Sequence, residues 1–275
     1  MMKLSKGIYF ILVASVFSVG CTKYQKLLKS ADWTPKYEAA MKYYENKDYA
    51  RAIGLFDDIL PIIRGTKEAE VANFYYAYAH FYQDLFILSA HHFQTFEGIY
   101  SRSEYALEAK YMFGYSLYKQ SPVYSLDQTP SYEAISVLQD FINEYPQSAF
   151  ANDATSIINE LQLKIELKEF EAAKLYAKVR QYEAASVTLE NFIRDFPGSD
   201  LQEEAFFLRI KMAHDYARAS IQSVQSDRFM LCVDRYIAFL DKYPNSKFLV
   251  EAEEYYSNST DFLYKFAEKN NKENG

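Results

Sequence analysis

A segment of eight residues recurs along the chain and constrains the fold more than any other feature. Three copies are clear, and they read F-I-N-E-Y-P-Q-S from Phe141, F-I-R-D-F-P-G-S from Phe192 and F-L-D-K-Y-P-N-S from Phe239. A fourth copy starts at Phe96 and has a serine in place of the proline, and a weaker fifth starts at Ile59. The copies start 37 to 51 residues apart. A period of this order is typical of stacked helical hairpins, each of which needs its neighbours to cover its apolar face.

Small and large apolar residues flank every copy at fixed distances. Seven residues before each start stands a small side chain: Ala52, Ser89, Ala134, Ala185 and Cys232. Three residues before each start stands a large apolar one: Phe56, Phe93, Leu138, Leu189 and Tyr236. Further along each repeat stands an alanine: Ala72, Ala109, Ala154, Ala205 and Ala252. Spacings of four and seven residues lie on one helical face, so the pattern predicts an all-α fold of about five hairpins.

Proline and serine mark the predicted helix boundaries. Three prolines should end the second helix of a repeat: Pro146, Pro197 and Pro244. The serine two residues after each proline is predicted to cap the next helix: Ser148, Ser199 and Ser246. Residues 121–130 read as a proline-bracketed loop. Residues 149–179 contain no glycine or proline and predict one long helix that joins an N-terminal group of repeats to a C-terminal pair.

The composition argues against several classes of protein. Only 8 glycines and 7 prolines occur in 275 residues, too few for the tight turns of a β-sandwich or barrel. The net charge of −7 disfavours a nucleic-acid binder, which needs a basic face. The four histidines (His80, His91, His92 and His214) show no metal-ligand spacing and read as surface or packing residues. We find no nucleophile or phosphate-loop motif and expect no enzyme, no metal and no cofactor.

The first 21 residues read as an export signal followed by a lipidated cysteine. Two lysines precede an apolar run of 12 residues, Ile8 to Val19, which is too short to span a membrane. Ser18-Val19-Gly20-Cys21 resembles a lipobox, although Ser18 departs from its usual leucine. We therefore predict acylation of Cys21, and the alternative is an ordinary signal peptide with a chance cysteine. Thr22 favours the outer membrane by resemblance to bacterial sorting rules, and Cys232 is predicted to be a buried core thiol.

Aromatic residues form three trios on the predicted first helices of repeats one to three. The trios, with Met41 at one position, are Tyr37, Met41 and Tyr44; Phe74, Tyr78 and Phe81; and Tyr111, Tyr115 and Tyr118. One hypothesis is that they line a groove for an extended peptide with aromatic side chains. The alternative is that the rings only pack between adjacent helices. The equivalent positions of repeat five, Phe207, Lys211 and His214, are mixed in character.

The repeats resemble the tetratricopeptide family through the pattern A-x3-F-x7-P. It is matched in part at Ala52 and Phe56, and in fuller form around Ala134, Ala185 and Cys232. The mature chain as a whole resembles the BamD family of outer-membrane assembly lipoproteins. The most specific segment is K-E-F-E-A-A-K-L-Y-A-K-V-R-Q-Y-E-A-A, residues 168–185, together with the lipobox cysteine and the repeat-three loop.

The sequence predicts five segments along the chain. They are a signal peptide (1–20), an anchor linker (21–35), repeats one to three (36–148), a region with the long helix, repeats four and five and a cap helix (149–268), and a polar tail (269–275).

The resemblance implies a non-enzymatic, lipid-anchored subunit that faces the periplasm from the outer membrane. In that family the C-terminal repeats contact a BamA-like insertase, and the N-terminal repeats are implicated in holding segments of unfolded outer-membrane proteins. The expected partners are therefore this insertase, its unfolded substrates and the membrane, with no nucleic acid. A second hypothesis is another periplasmic repeat lipoprotein, one that organises an envelope or nutrient-uptake complex.

Overall fold

The computed structural model describes residues 23–273, and within this range the chain is helical with no β-strand. A short helical segment, residues 23–28, precedes the helices α1 to α11. Their bounds are α1 Thr34–Glu45, α2 Tyr49–Ile59, α3 Lys67–Phe81, α4 Phe86–Ile99, α5 Ala106–Gln120, α6 Thr129–Glu144, α7 Ala151–Lys178, α8 Tyr182–Asp195, α9 Gln202–Arg218, α10 Gln222–Lys242 and α11 Leu249–Glu273. The predicted all-α, tetratricopeptide-like fold is confirmed. The predicted signal peptide and Cys21 lie outside the described residues.

The repeat positions predicted to be apolar lie in the cores, except that Tyr236 is only partly buried and packs against a core. The five small residues, Ala52, Ser89, Ala134, Ala185 and Cys232, are fully buried, as are the five alanines of the following helices. The large residues at the repeat starts are at most 1% exposed: Ile59, Phe96, Phe141, Phe192 and Phe239. Gly114 of α5 is buried beside α6, where a methyl group would lie 2.6 Å from Leu138 Cδ2. Small residues thus bring the helices of a hairpin into close contact.

The chain divides into two compact units, residues up to Leu161 and residues from Gln162 onward. The division falls inside α7, which is continuous for 28 residues. Its first half contributes Ile157, Ile158 and Leu161 to the core of the N-terminal unit. Its second half contributes Phe170 to a core of the C-terminal unit. The predicted boundary lies after residue 148, before this helix, because a boundary within a helix has no glycine or proline to mark it.

The predicted helix ends are confirmed at the prolines, whereas the predicted serine caps are wrong. Helices α6, α8 and α10 end two residues before their proline. Helix α7 begins three residues after Ser148, whose Oγ accepts a hydrogen bond from the backbone N–H of Phe150 at 3.1 Å. Ser199 and Ser246 accept equivalent bonds from the residue two positions on. These serines stabilise a tight turn before the helix, and Phe150 caps it through its carbonyl, which accepts from Ala154 N–H at 2.9 Å.

Three further boundaries differ from the sequence-based expectation. Helix α6 starts at Thr129 with Pro130 in its first turn, so the loop is shorter than 121–130. Residues 269–273, predicted to be a polar tail, belong to α11. The predicted linker 21–35 contains the helical residues 23–28, of which Tyr24, Leu27 and Leu28 pack on the core of repeat one. The six residues K-Y-Q-K-L-L are too few to show a helical period.

Three hairpin turns place a non-glycine residue in the left-handed region. Lys47, Asp84 and Arg180 have φ angles of 60°, 56° and 63°. In each turn the residue and its successor donate backbone hydrogen bonds to carbonyls in the last turn of the preceding helix. Glycine is the usual residue at such a position because it lacks the Cβ that strains this conformation. The shortage of glycine therefore extends to positions where glycine would fit best.

Candidate functional site

Six partly exposed aromatic residues line the first helices of the three N-terminal hairpins. We call them the aromatic face: Tyr37 and Tyr44 on α1, Tyr78 and Phe81 on α3, and Tyr115 and Tyr118 on α5. Their spacing of three or seven residues places each pair on one side of its helix. Met41, which the sequence placed beside them, is also partly exposed. These six keep the geometry that the groove hypothesis requires.

The two other candidates, Phe74 and Tyr111, are buried and do not line a groove. They are 4% and 6% exposed. Phe74 stacks on Tyr105 with ring centroids 4.6 Å apart, and Tyr111 stacks on Phe150 at 4.5 Å. In each case the covering ring lies two residues after the turn serine of the next repeat. For these two positions the packing interpretation is therefore the right one, because the adjacent hairpin supplies a ring that covers them.

The rings of the aromatic face connect from one hairpin to the next through close contacts. Tyr44 lies 6.3 Å from Tyr82, which stacks on Tyr78 at 5.9 Å. Phe81 lies 5.6 Å from Tyr115, which lies 5.7 Å from Tyr118. Sequence analysis missed Tyr82 because it follows the last residue of α3. Its position four residues after Tyr78 is the signal that could have found it.

Hydroxyl groups of these tyrosines bind carboxylates on the following first helix. Tyr78 on α3 donates to Glu108 on α5. Tyr118 on α5 donates to Glu160 on α7 with 2.8 Å between the oxygens, and Tyr111 donates to Asp153 on α7. The last two pairs are both separated by 42 residues in sequence. Sequence analysis missed these acidic partners, and the repeated separation is the signal that could have indicated them. The bonds fix neighbouring hairpins to one another along this side of the unit.

Burial and carboxylate partners raise the pKa of three phenols of the aromatic face, those of Tyr44, Tyr78 and Tyr118. Burial raises the pKa of Tyr78 and of Tyr44 well above the ordinary value, and the bond to Glu108 raises that of Tyr78 further. The hydrogen bond to Glu160, followed by burial, raises the pKa of Tyr118 to about 12. At neutral pH these hydroxyls are donors, and the negative charge of the face resides on the carboxylates. The face presents apolar rings beside acceptor oxygens.

This architecture matches a known protein family. A model of the YfiO family, described as outer membrane lipoprotein, matches residues 30–186. The chain belongs to the YfiO family. The match covers more than half of the chain and includes the whole aromatic face, α7 and the start of α8. No curated protein matches the chain. The predicted resemblance to an outer-membrane assembly lipoprotein is confirmed, and membership implies association with the β-barrel assembly complex of the outer membrane in general.

Two of the four histidines of this YfiO-family chain pack against each other between α3 and α4. His80 is buried and stacks on His92 with ring centroids 4.9 Å apart, and Tyr76 lies 4.5 Å from both rings. Within residues 23–273 no group of three or more His, Cys, Asp or Glu side chains could hold a metal ion. Burial, followed by the proximity of His80 and His91, lowers the pKa of His92 to about 4. These rings pack an interhelical contact.

The C-terminal unit presents different chemistry at the equivalent positions. Phe207 and His214 of α9 are buried, and Lys211 pairs with Glu251 at 3.6 Å. A cleft of about 400 Å³ lies between α9, α10 and α11, lined by His214, Arg218, Gln225, Phe229, Asn258 and Phe262.

Cys232 is fully buried and its thiol points to the carbonyl of Ile210 at 3.6 Å, as expected for a core thiol. None of the helices within residues 23–273 has the length and hydropathy of a membrane span.

Proposed function

We propose that this protein is a periplasm-facing subunit of the β-barrel assembly machinery and that it holds unfolded outer-membrane proteins for insertion. The observation that carries the proposal is the YfiO-family match over residues 30–186, which covers all three N-terminal hairpins. In this proposal the protein is a scaffold and not an enzyme. Acyl chains on Cys21 attach it to the outer membrane, and its repeats contact a BamA-like insertase on one side and substrate segments on the other.

The aromatic face is the proposed substrate-binding surface. Outer-membrane strands alternate apolar and polar residues and carry aromatic side chains near the membrane interfaces. Such side chains would pack against the rings of Tyr78, Phe81 and Tyr115, since aromatic pairs gain from offset or edge contacts. The carboxylates of Glu108 and Glu160 would accept hydrogen bonds from an extended backbone. Contacts of this kind depend little on sequence, which suits a subunit that receives many different substrates.

The C-terminal repeats are the proposed contact with the insertase. The family match ends at residue 186, so this assignment rests on the resemblance described above and on the contrast between the two units. In the C-terminal unit Arg218 of α9 lines a cleft, whereas the N-terminal unit carries a band of tyrosines. Two units with different surfaces suit two different partners.

Copurification from native outer membranes tests the proposed function. Intact cells would be treated with a reversible crosslinker, and the acylated protein would be isolated through a tag at its C-terminus. We expect a BamA-like insertase as the main partner. Recovery of only nutrient-uptake or peptidoglycan-associated proteins would contradict the proposal and would favour the second hypothesis. An untagged strain provides the control.

A separate experiment tests the anchor. The Cys21→Ser variant removes the acylation site, so we expect a folded domain with unchanged helical circular dichroism that no longer sediments with membranes. This measurement requires no knowledge of the partner. Continued membrane association in a strain that lacks the insertase contact would contradict lipidation of Cys21.

Photo-crosslinking tests the substrate surface. A photoreactive amino acid at Tyr115 should capture peptides derived from outer-membrane strands. Tyr132 of α6 is 54% exposed and lies in the same unit outside the aromatic face, so it serves as the control position. Labelling at Tyr115 no stronger than at Tyr132 would remove the groove hypothesis while leaving the anchor and the insertase contact unaffected.

A further inference from the structure

Seven exposed apolar or aromatic residues lie at the turns on one edge of the N-terminal unit. We call this edge, formed by residues 46–48, 82–88 and 121–127, the turn edge. These seven members are Tyr82, Leu85, Ile87, Leu88, Val123, Tyr124 and Leu126. Ile87 is 73% exposed and Val123 is 64% exposed. Single exposed apolar residues are ordinary on a soluble protein, whereas a group on adjoining turns marks an interaction surface.

Ring and hydrogen-bond contacts join the three turns into one continuous edge. Tyr49, at the start of α2, stacks on Tyr82 with ring centroids 4.8 Å apart. The side-chain amide of Gln120 donates to the carbonyl of Phe86 at 3.3 Å. Lys119 Nζ lies 5.6 Å from the centre of the Phe86 ring. The first contact joins the first turn to the second, and the other two join the second turn to the α5–α6 loop.

A buried amide fixes the α5–α6 loop and keeps its apolar side chains in solvent. Gln128 is 1% exposed, and its Nε2 donates to the carbonyls of Val123 at 2.9 Å and Leu126 at 3.2 Å. Its Oε1 accepts from the hydroxyl of Ser131 at 2.7 Å. These bonds satisfy the polar groups of the loop internally. The loop backbone is therefore ordered. Its apolar side chains, Val123, Tyr124 and Leu126, nevertheless remain exposed to solvent.

The N-terminal segment leads to the same edge. Tyr24 lies 5.8 Å from Tyr43, close to the first turn, while the carbonyl of Leu28 accepts a hydrogen bond from Lys36 Nζ at 3.2 Å. The segment thus runs antiparallel to α1, and its first residue, Lys23, lies on the side of the turn edge. Cys21 precedes Lys23 by two residues, a separation that spans about 7 Å at most when extended.

We propose that the turn edge is a membrane-contact surface, seated on the phospholipid layer that holds the acyl chains of Cys21. This inference rests on the proposed lipidation. A tether of two residues brings the docked segment, and hence the edge beside it, to the headgroup region. Apolar side chains such as Ile87 and Val123 then leave water, and Tyr124 occupies the interface that tyrosine favours. Asp84 and Asp127 are exposed on the same edge, so apolar contact and not net charge drives the association.

Helix α4 supplies a matched pair of probe positions. Ile87 lies at its start, on the turn edge, and Ile99 lies at its end, 64% exposed on the opposite edge. Twelve residues separate them, or about 18 Å along the helix. Trp33 is the only tryptophan in the chain. The Trp33→Phe background therefore allows a single fluorescent probe at either end of the same helix.

The experiment compares Trp33→Phe/Ile87→Trp with Trp33→Phe/Ile99→Trp. Each acylated protein would be reconstituted into vesicles of phosphatidylethanolamine and phosphatidylglycerol, with and without bromine on the acyl chains. Bromine quenches tryptophan only at short range. We expect at least twofold stronger quenching for the Ile87→Trp variant than for the Ile99→Trp variant. The Trp33→Phe/Tyr124→Trp protein is a second probe of the edge and should behave like the Ile87→Trp variant.

The possible results separate this inference from the proposed function. Equal quenching at both ends of α4, or none at either end in protein that floats with the vesicles, would overturn the membrane-contact surface. Protein that does not float at all would overturn both the lipidation and this inference. Failure to copurify an insertase would overturn the proposed function and would leave the quenching result unchanged.

Discussion

The N-terminal and C-terminal units bury the same kinds of residue at the same repeat positions. Phe141 and Phe239 start equivalent repeat segments, and both are fully buried. Ala134 and Cys232 fill the same small position seven residues earlier and are equally buried. These positions bring helices into contact within and between hairpins, so the fold requires them in every repeat.

The two units differ in the side chains at repeat positions that the fold does not require to be buried and apolar. Tyr111 stacks on Phe150 at 4.5 Å, and Phe207 stacks on Phe248 at 4.7 Å, so this position is structural in both units. Three to seven residues further on, the N-terminal unit carries partly exposed tyrosines, whereas the C-terminal unit carries a lysine and a buried histidine. An aromatic residue is therefore assigned to the core or to the candidate site by its position in the repeat.

The largest expected effect tests the shared core. Phe141→Ala and Phe239→Ala each remove a fully buried ring, and we expect each to lower the free energy of unfolding by about 3 to 5 kcal/mol. Urea unfolding followed by circular dichroism measures both. Val187→Ala, at a half-exposed position of α8, is the control and should change stability by less than about 1 kcal/mol. A small effect at one phenylalanine and a large effect at the other would show that the two cores are not equivalent.

The second prediction concerns acid and the N-terminal unit. Because the pKa of His92 is lowered to about 4 when folded, the unfolded chain takes up a proton near pH 6.5 that the folded chain does not. Stability should therefore fall as the pH drops from about 6.5 to 4, by about 2 to 3 kcal/mol from this group. His92→Gln should reduce that slope strongly, and the same change at the exposed neighbour His91, which contributes only the smallest of the three causes, should reduce it much less. Unfolding free energies at pH 7, 5.5 and 4.5 decide this, and identical slopes in the two variants would refute it.

The third prediction converts an N-terminal position to its C-terminal equivalent. Tyr111→Phe retains the stacked ring that Phe207 also provides but removes the hydrogen bond to Asp153. Since Asp153 is exposed, we expect a loss of about 1 kcal/mol. A double-mutant cycle with Asp153→Ala isolates the bond, and the coupling should account for most of the loss. A coupling near zero would show that the hydroxyl does not join the hairpins.

The smallest effect is expected at turns that the two units have in common. Lys47 in the first hairpin and Arg180 in the fourth have φ angles of 60° and 63°. Replacing either by glycine should relieve strain and stabilise the protein by about 0.5 to 1 kcal/mol. Lys42→Gly, within α1, is the control and should destabilise by about 1 kcal/mol. Destabilisation by both turn variants would indicate that these side chains make contributions larger than the backbone strain.

The repeat helices and most of the core could be predicted from the sequence because both are periodic, whereas the short helical segment 23–28 could not. Fixed spacings identified Ala52, Phe56 and their equivalents in all five repeats, and the absence of glycine and proline identified α7. Proline cannot continue a helix, so the ends of α6, α8 and α10 could also be predicted from the sequence.

The candidate site was only partly predictable. Helical spacing places Phe74 and Tyr78 on one side of α3, yet it does not show that Tyr105 from the next hairpin covers only the first of them. Likewise, the bond from Tyr118 to Glu160 joins residues 42 positions apart, which no local pattern reveals. Burial depends on what the neighbouring repeat supplies, and that requires the packed structure.

The sealed environment of Cys232 has a practical consequence for labelling. Its thiol is fully buried, and burial raises its pKa, so little reactive thiolate forms at neutral pH. In the proposed form of the protein, with Cys21 acylated, a cysteine introduced at an exposed position such as Tyr132 would be the single site open to maleimide reagents. Spin labels and fluorophores can therefore be attached one at a time to the native chain, with Cys232 left in place.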